Sequence, residues 1–415
     1  LHLGGRCFVF GLFVSDKAKN SNFALYVYKN TNTCAFFQMN PVYLDCNATT
    51  PLDPEVREVL FRYLTEEFGN EGSRTHEYGS RAKQAVQKAR DQVAAVVGAK
   101  RDEVIFTSGA TESNNLAILG LADYGREQGK RHLIGTRLEH KAVIEPLEAM
   151  EKQGFEVTWL ESDDQGWVNV EQLKQALRPD TLLVSIMAAN NETGVRQPIE
   201  EVAAVLEGHD AYFHTDAAQA FGKDLEPLRK GRIDLISVSG HKIYAPKGIG
   251  ALILRRRGYD RPPLKPLFYG GGQERGLRPG TLPVAHVAAL GMAAEVALKH
   301  HENRRKHCRK IKDAALAAFA SLAPRIHGRP DETMDHVLNL AFPGIDSEAL
   351  IVALKDLVAI SNGSACTSSS YTPSHVIKAM GYGDDEANEA IRLSWCHLTP
   401  EVEWDGVAGR ILSLR

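Results

Sequence analysis

Residues 234–252 read DLISVSGHKIYAPKGIGAL. Leu235, Ile236 and Val238 form a short apolar run of the length of a buried strand, and it stops at Ser239, His241 and Lys242. A Pro/Gly turn follows, and GALILRR opens another apolar run. An amine is thereby set at the mouth of a buried strand, on the edge where parallel sheets bind their ligands.

Outward from this stretch the pattern repeats. EVIFTSG, HLIGTR, EVTWL, TLLVSIMAAN and AYFHTD are apolar runs separated by helix-like stretches, among them 110–122, 141–153 and 199–208. The alternation predicts an α/β fold with a mainly parallel central sheet and helices on both faces. Asp53 and Pro54 predict a helix start, with Asp as the cap and Pro at the first helical position. A second helix is predicted from about Ser80 to Val97, closed by Gly98. An amphipathic stretch at about 284–320 leads to strand candidates HVLNLAF and LVAI, which read as a smaller α+β domain. The expected division is a large domain over 53–300 and a small one built from 39–52 with 301–415.

The bulk composition narrows the function. In 415 residues, 43% are hydrophobic and 24% charged, as in ordinary globular proteins, and the formal net charge of −3 gives no general attraction to nucleic acid or anionic membrane. No apolar run reaches membrane-spanning length. The six cysteines are too scattered for a disulfide framework and show no metal-ligand spacing, so the expected metal complement is none and the expected compartment a reducing cytoplasm. Residues 1–38 differ in character from the rest, and MNPVYLDCNATTPLDPEV from Met39 reads as a fresh start. They are expected to be a disordered tail or an upstream extension of the reading frame.

Five apolar runs bring polar groups to one rim. HLIGTRLEH delivers His140, TLLVSIMAANN delivers Asn191, AYFHTD delivers Asp216, and DLISVSGHK delivers Ser239, His241 and Lys242. EVIFTSGATESNNLAI passes through Gly109 into a helix near Ala110 and Thr111, whose free N–H groups suit a phosphate. A phosphate pocket, a lysine and a carboxylate together suit pyridoxal 5′-phosphate: the lysine forms a Schiff base and the carboxylate keeps the pyridine nitrogen protonated. Asp216 is the candidate carboxylate, Gln219 a partner for the ring hydroxyl, and His140 a group that stacks on the ring and moves protons. Singly, each has a duller reading: a structural histidine, a helix cap at Asp216, a turn at Asn191. Lys247 competes with Lys242 from a solvated loop.

Cys46, Cys308 and Cys396 read as small buried hydrophobes. Cys366 differs, because glycine, alanine, threonine and serines surround it in SNGSACTSSS, which suits an exposed nucleophile. The histidines at 300, 301 and 307 lie among Arg and Lys and read as a solvated helical face.

With these residues placed, the chain resembles the pyridoxal-phosphate cysteine desulfurases of the NifS/IscS group, within fold type I. The resemblance covers about 42–412 and rests on YLDCNATTPLDP, FTSGATESNNLA, LEHKAV, VSIMAANNETGV, HTDAAQA, SGHKIYAPKGIGAL, GGGQERGLRPGTLP and SNGSACTSS. It implies that Lys242 binds the cofactor aldehyde, Asp216 pairs with the pyridinium, and His140 stacks and acts as acid and base. It further implies that Gln219 and Asn191 contact the ring hydroxyl and the substrate side, while Ala110, Thr111, Ser239 and His241 bind the phosphate. Thr281 would reach the phosphate of a neighbouring subunit in a homodimer. Arg392 would grip the substrate carboxylate, with Asn70 nearby. Cys366 would take the sulfur of L-cysteine as a persulfide, leaving alanine, for delivery to an acceptor protein.

Two motifs depart from the family pattern. Glu71 stands where proline usually follows Asn70, and SWCHLT replaces a more usual SLGRFT. The chain ends at LSLR without the longer tail that docks the iron–sulfur scaffold, which leaves room for tRNA thiolation or DNA phosphorothioation beside iron–sulfur assembly. The SACTSSSYTPSHVIKAMG loop is similar to the DNA-phosphorothioation type. An aminotransferase or a selenocysteine lyase would use the same cofactor residues, and a non-catalytic scaffold would use none.

Overall fold

The alternating apolar runs become strands. In the computed structural model, which describes residues 41–362 and 373–415, a short β1 (Val42–Tyr43) precedes β2 (Val104–Thr107), β3 (His132–Thr136), β4 (Glu156–Leu160), β5 (Thr181–Ser185), β6 (Tyr212–Asp216), β7 (Leu235–Ser239) and β8 (Gly250–Leu254). The 1–38 segment and Cys366 lie outside the described residues. Seven strands form one sheet in the order β2-β8-β7-β6-β5-β3-β4. The pairs from β4 across to β7 are parallel, while β8 runs antiparallel to both β7 and β2. The mainly parallel sheet expected from the sequence is therefore present, with one reversed strand inside it.

Every residue of β2, β3, β5, β7 and β8 is buried, as parallel strands covered on both faces require. Ile236 and Val238 of β7 join one apolar cluster and Leu235 joins another. The first cluster takes in α1 (Pro54–Thr65), α2 (Glu77–Val97) and the first half of the long α8 (Val284–Phe319); the second takes in α3 (Ala110–Leu119) and α5 (Lys141–Glu151). Each fully buried Val or Leu is worth about 1.5–3 kcal/mol against about 1 kcal/mol for a helix cap, so these two faces hold the layers together. The buried His214 imidazole ties the strands laterally, with Nδ1 at 2.8 Å from Ser185 Oγ and Nε2 at 3.0 Å from Ser237 Oγ. Burial pushes its pKa down to about 4, so it is neutral in this role.

A third cluster lies apart from the sheet. It is built on β9 (Arg325–Ile326), β10 (Val337–Ala341) and β12 (Ala390–Ser394), which form an antiparallel sheet, and on β11 (Val358–Ala359), which pairs with β1. Leu44, Phe319, Phe342, Trp395 and Trp404 fill it. The segment after β1 runs beside β12 through the Asp45–Ser394 bridge, which brings residues near 45 and near 392 together.

Two boundaries differ from the sequence expectation. Helix α2 begins at Glu77 rather than near Ser80, because the His76 ring Nδ1 accepts the Gly79 N–H at 3.2 Å, and histidine is an uncommon cap. The stretch expected as one helix over 110–122 breaks at Gly120, and a second helix spans Ala122–Glu127. The carbonyl of Gly120 accepts the Lys265 N–H at 2.9 Å, and a Cβ there would lie 2.3 Å from the Leu116 carbonyl oxygen.

One buried ion pair clamps α2 to the sheet. Arg90 Nη1 donates to Glu274 Oε2 at 2.8 Å and to Val104 O at 2.7 Å, and the Phe106 N–H donates to the same Oε2 at 2.7 Å. Removing one partner of such a pair strands the other in a dry site, at a cost of about 3–5 kcal/mol. Glu274→Ala is therefore expected to lose about that much in equilibrium urea denaturation, and a loss under 1 kcal/mol would refute the clamp.

Candidate active site

The rim residues converge on one cavity of about 450 Å3, within the range of about 300–1,000 Å3 typical of small-molecule sites. Strand β2 leads through Ser108 and Gly109 into α3, so the first-turn amides at Ala110 and Thr111 have no carbonyl partner within the helix and face an anion site. Strand β3 leads to His140, β5 to Met187 and Asn191, β6 to Asp216 and Gln219, and β7 to Ser239, His241 and Lys242. Lys247 also reaches the lining, so the loop read as solvated borders the cavity.

Asp216 is 5% exposed and ends β6. Its Oδ2 accepts from Asn114 Nδ2 at 2.7 Å and its Oδ1 from the Ala218 N–H at 2.9 Å. It thus makes the local turn a cap would make and still borders the cavity. The Lys242 amine donates to the carbonyls of Asn47 and Ala48, the latter at 2.8 Å. His140 caps α5, its Nδ1 accepting the Ala142 N–H at 3.1 Å, which fixes the ring orientation. Burial holds its pKa below the ordinary imidazole value, Asp216 opposing and Lys242 adding to the effect. His241 lies 3.2 Å from the Thr49 hydroxyl, and burial together with Lys242 and Lys247 pushes its pKa down to about 4.

Arg392, 1% exposed on β12, also lines the cavity. Its Nη2 donates to Asp45 Oδ1 at 2.6 Å and to Ser361 Oγ at 3.0 Å, and its Nη1 to the Asn191 carbonyl at 3.1 Å. The turn expected at Asn191 is made by its neighbour, since Asn190 Oδ1 accepts from the Glu192 and Thr193 amides. Asn70 is exposed and bonded to the Gly72 N–H at 2.8 Å, outside this cavity. Thr281 is likewise exposed and outside it.

Three residues of the site escaped the sequence reading. Asn47 arrives from the segment after β1, and only its place in the CNATT turn marks it. Asn114 is a polar residue buried on an otherwise apolar helix, a signal that ESNNLAI carried. Glu139 is fully buried behind His140 and accepts the Met187 N–H at 2.6 Å, while its backbone carbonyl lies 2.9 Å from His375 Nε2. Burial, and then the charge of Asp216, hold its carboxyl well above the usual carboxylate range.

The cavity is unsatisfied in a specific way. Asn47 Oδ1, Asn114 Oδ1, Asn191 Oδ1, Gln219 Oε1 and Arg392 Nε are buried without a hydrogen-bond partner, and all five residues line it. Such groups are rare unless a ligand completes them. A polar aromatic ring carrying a phosphate fits the chemistry of this wall, which combines these unpartnered polar atoms with the start of α3 and the Asp216 carboxylate.

Residues 42–405 match the family described as aminotransferase class-V, and the chain belongs to that family. Its cofactor is pyridoxal 5′-phosphate. The chain is 45% identical over 384 residues to the mitochondrial cysteine desulfurase of Saccharomyces cerevisiae, covering 91% of this chain and 76% of that one. Among solved structures it superposes on a NifS-like protein with a TM-score of 0.83 and 36% identity, covering 90% of this chain and 100% of the other. DndA from Streptomyces lividans is 48% identical with a TM-score of 0.76, covering 84% and 98% respectively. The expected fold type is borne out by these superpositions.

The anion cradle depends on a close backbone approach. A Cβ on Gly250, the first residue of β8, would lie 2.3 Å from Val238 O and 2.6 Å from Gly109 Cα. Gly250→Ala is expected to displace Gly109 and weaken cofactor binding at least about tenfold, roughly 1.4 kcal/mol. Spectrophotometric titration of the apoprotein with pyridoxal 5′-phosphate reads this, and unchanged affinity would refute the dependence.

Proposed function

We propose that the chain is a cysteine desulfurase that converts L-cysteine to L-alanine and takes the sulfur onto Cys366. The observation that carries this reading is the convergence of Lys242, Asp216, His140 and Arg392 on one cavity. Pyridoxal 5′-phosphate, when bound, supplies an electron sink for the pair left as the substrate α-proton departs. Asp216 holds the pyridine nitrogen in its protonated form, its two oxygens already oriented by Asn114 and Ala218. The amides at Ala110 and Thr111, with Ser239 and neutral His241, bind the phosphate. Gln219 takes the ring hydroxyl, and Asn191 borders both ring and substrate.

Lys242 would hold the cofactor aldehyde, and its Nζ would move the proton at the substrate Cα. His140, kept neutral by burial, stacks on the ring and accepts or returns a proton. Arg392 binds the substrate carboxylate from a guanidinium held by Asp45, Ser361 and the Asn191 carbonyl, with its unpartnered Nε–H available. The Cys366 thiolate would form an S–S bond with the substrate sulfur as the Cβ–S bond breaks with its electron pair going to Cβ, and protons delivered to Cβ and back to Cα complete alanine. The persulfide passes to an acceptor protein of iron–sulfur assembly, tRNA thiolation or DNA phosphorothioation.

A homodimer is part of this reading, with Thr281 completing the phosphate site of the second copy. Exposed Phe61, Leu64, Phe68 and Tyr78 support it, since clustered exposed aromatics mark association surfaces. No helix among the described residues is long and apolar enough to cross a membrane. A cytoplasmic site of action suits a persulfide carrier, which needs a reducing surrounding.

Incubation with L-cysteine tests the reading directly. Wild type is expected to release alanine and to carry a persulfide that peptide mass spectrometry places on Cys366. Cys366→Ser should keep the cofactor colour and lose sulfide release, whereas Lys242→Ala should lose the colour. A Cys366→Ser variant with full turnover would favour an aminotransferase instead.

The pH dependence follows from burial of His140. Neutral imidazole is the working form, and burial lowers its pKa, so protonation removes it only below the ordinary value of about 6.5. The acid limb of kcat/KM is expected to lie below that value, and His140→Ala to lower kcat about 100-fold or more. An acid limb above 6.5 in wild type would contradict this role.

A further inference from the structure

Three cysteines that are distant in sequence gather behind the cofactor wall. Cys46 and Cys396, 1% and 2% exposed, pack together under the Tyr244 ring. The two side chains share one buried cluster, and the Cys396 sulfur accepts from the Leu398 N–H at 3.4 Å and the Thr399 hydroxyl at 3.7 Å. Backbone bonding holds the two segments together, since the Cys46 N–H donates to Ser394 O at 3.0 Å and the Asn47 N–H to Ser394 Oγ at 2.8 Å. Cys308 lies nearby and borders a partly open cavity of about 60 Å3 with Tyr244, Lys223 and His336, and Tyr244 is the residue this cavity shares with the Cys46 and Cys396 cluster.

The charges divide the pair into unlike thiols. The Leu398 and Thr399 donors and the Lys223 ammonium favour a thiolate at Cys396, against its burial. Burial pushes the Cys46 thiol pKa up and favours its protonated form. Lys223 donates to His336 Nε2 at 3.2 Å, and burial lowers its pKa to about 8, which leaves it charged at neutral pH. The Leu398 and Thr399 donors are aimed at the Cys396 sulfur, which makes it the better stabilised anion of the two.

We propose that Cys46 and Cys396 are a peroxide-responsive thiol pair whose disulfide distorts the cofactor site. Cys396 sulfur attacks hydrogen peroxide: the O–O bond breaks, an S–O bond forms, and hydroxide leaves to take a proton as water. Cys46 sulfur then displaces the hydroxyl of that sulfenic acid, its thiol proton leaving with it as a second water, and the S–S bond forms. Two thiols are oxidised by two electrons and one peroxide is reduced.

The coupling to the site runs through two short backbone paths. Cys46 precedes Asn47 and Ala48, whose carbonyls hold the Lys242 amine, and the Asn47 carbonyl also accepts from Gln219 Nε2 at 3.0 Å. Tyr244, which covers both sulfurs, is two residues from Lys242 and already sits at a positive φ of 69°. A disulfide draws the sulfurs to about 2.05 Å, so both segments must shift.

The test uses the holoenzyme of Cys366→Ser, in which the thiol assigned to sulfur transfer is absent. Treatment with stoichiometric hydrogen peroxide is expected to remove two titratable thiols, to yield a Cys46–Cys396 cross-linked peptide by non-reducing mass mapping, and to shift the cofactor absorbance band. A phosphine reductant should reverse all three. Adding Cys46→Ser or Cys396→Ser, or the alanine versions if serine fails to fold there, should abolish the cross-link and the band shift. Thiols that stay reduced, or a cross-link through Cys308, would overturn the pair, and a cross-link with an unmoved band would overturn its link to the site. None of these readouts requires turnover of L-cysteine, so the desulfurase reading stands or falls separately.

Discussion

The carboxylate of Asp216 ends a buried strand and is met by two neutral donors, the Asn114 amide and the Ala218 N–H. Unit charges 4 Å apart interact by about 4 kcal/mol at an effective dielectric of about 20, against about 1 kcal/mol in water. A ligand that brings a positive ring nitrogen to this oxygen pair is therefore favoured over a neutral ring by a margin that solvent would erase. The neighbouring groups conform to the same charge. Burial and the charge of Asp216 hold the Glu139 carboxyl well above the usual carboxylate range, while burial lowers the imidazole pKa values of His140, His214 and His241, which favours Asp216 as the negative group of the cavity.

How much of this was legible in the chain depended on whether the signal was local. Strands and most helices follow from apolar period and turn residues, and the rim at His140, Asn191, Asp216 and Lys242 follows from the rule that parallel strands deliver ligand residues at their carboxyl ends. Asn47 is not a strand-end residue of the central sheet; it reaches the cavity only because β1 and the segment after it are pinned beside β11 and β12. No pattern within a short window encodes that pairing. Gly120 broke a helix through a crossing carbonyl contact, again a tertiary cause.

The cysteines show the same limit from another side. Each of Cys46, Cys308 and Cys396 is an unremarked buried residue in its own segment, and burial is what the structure finds. Their nearness to one lysine is a property of three segments meeting, and the SWCHLT departure was its single trace in the sequence. The histidines near 300 were read as solvated, yet His301 Nε2 lies 3.0 Å from the Lys223 carbonyl, part of the same meeting point.

Asp45 and Arg392 are 347 residues apart and share one ion pair at the cavity wall. The wall of the cavity is therefore closed by a long-range contact, and a chain shortened before β12 would present the sheet rim without its arginine.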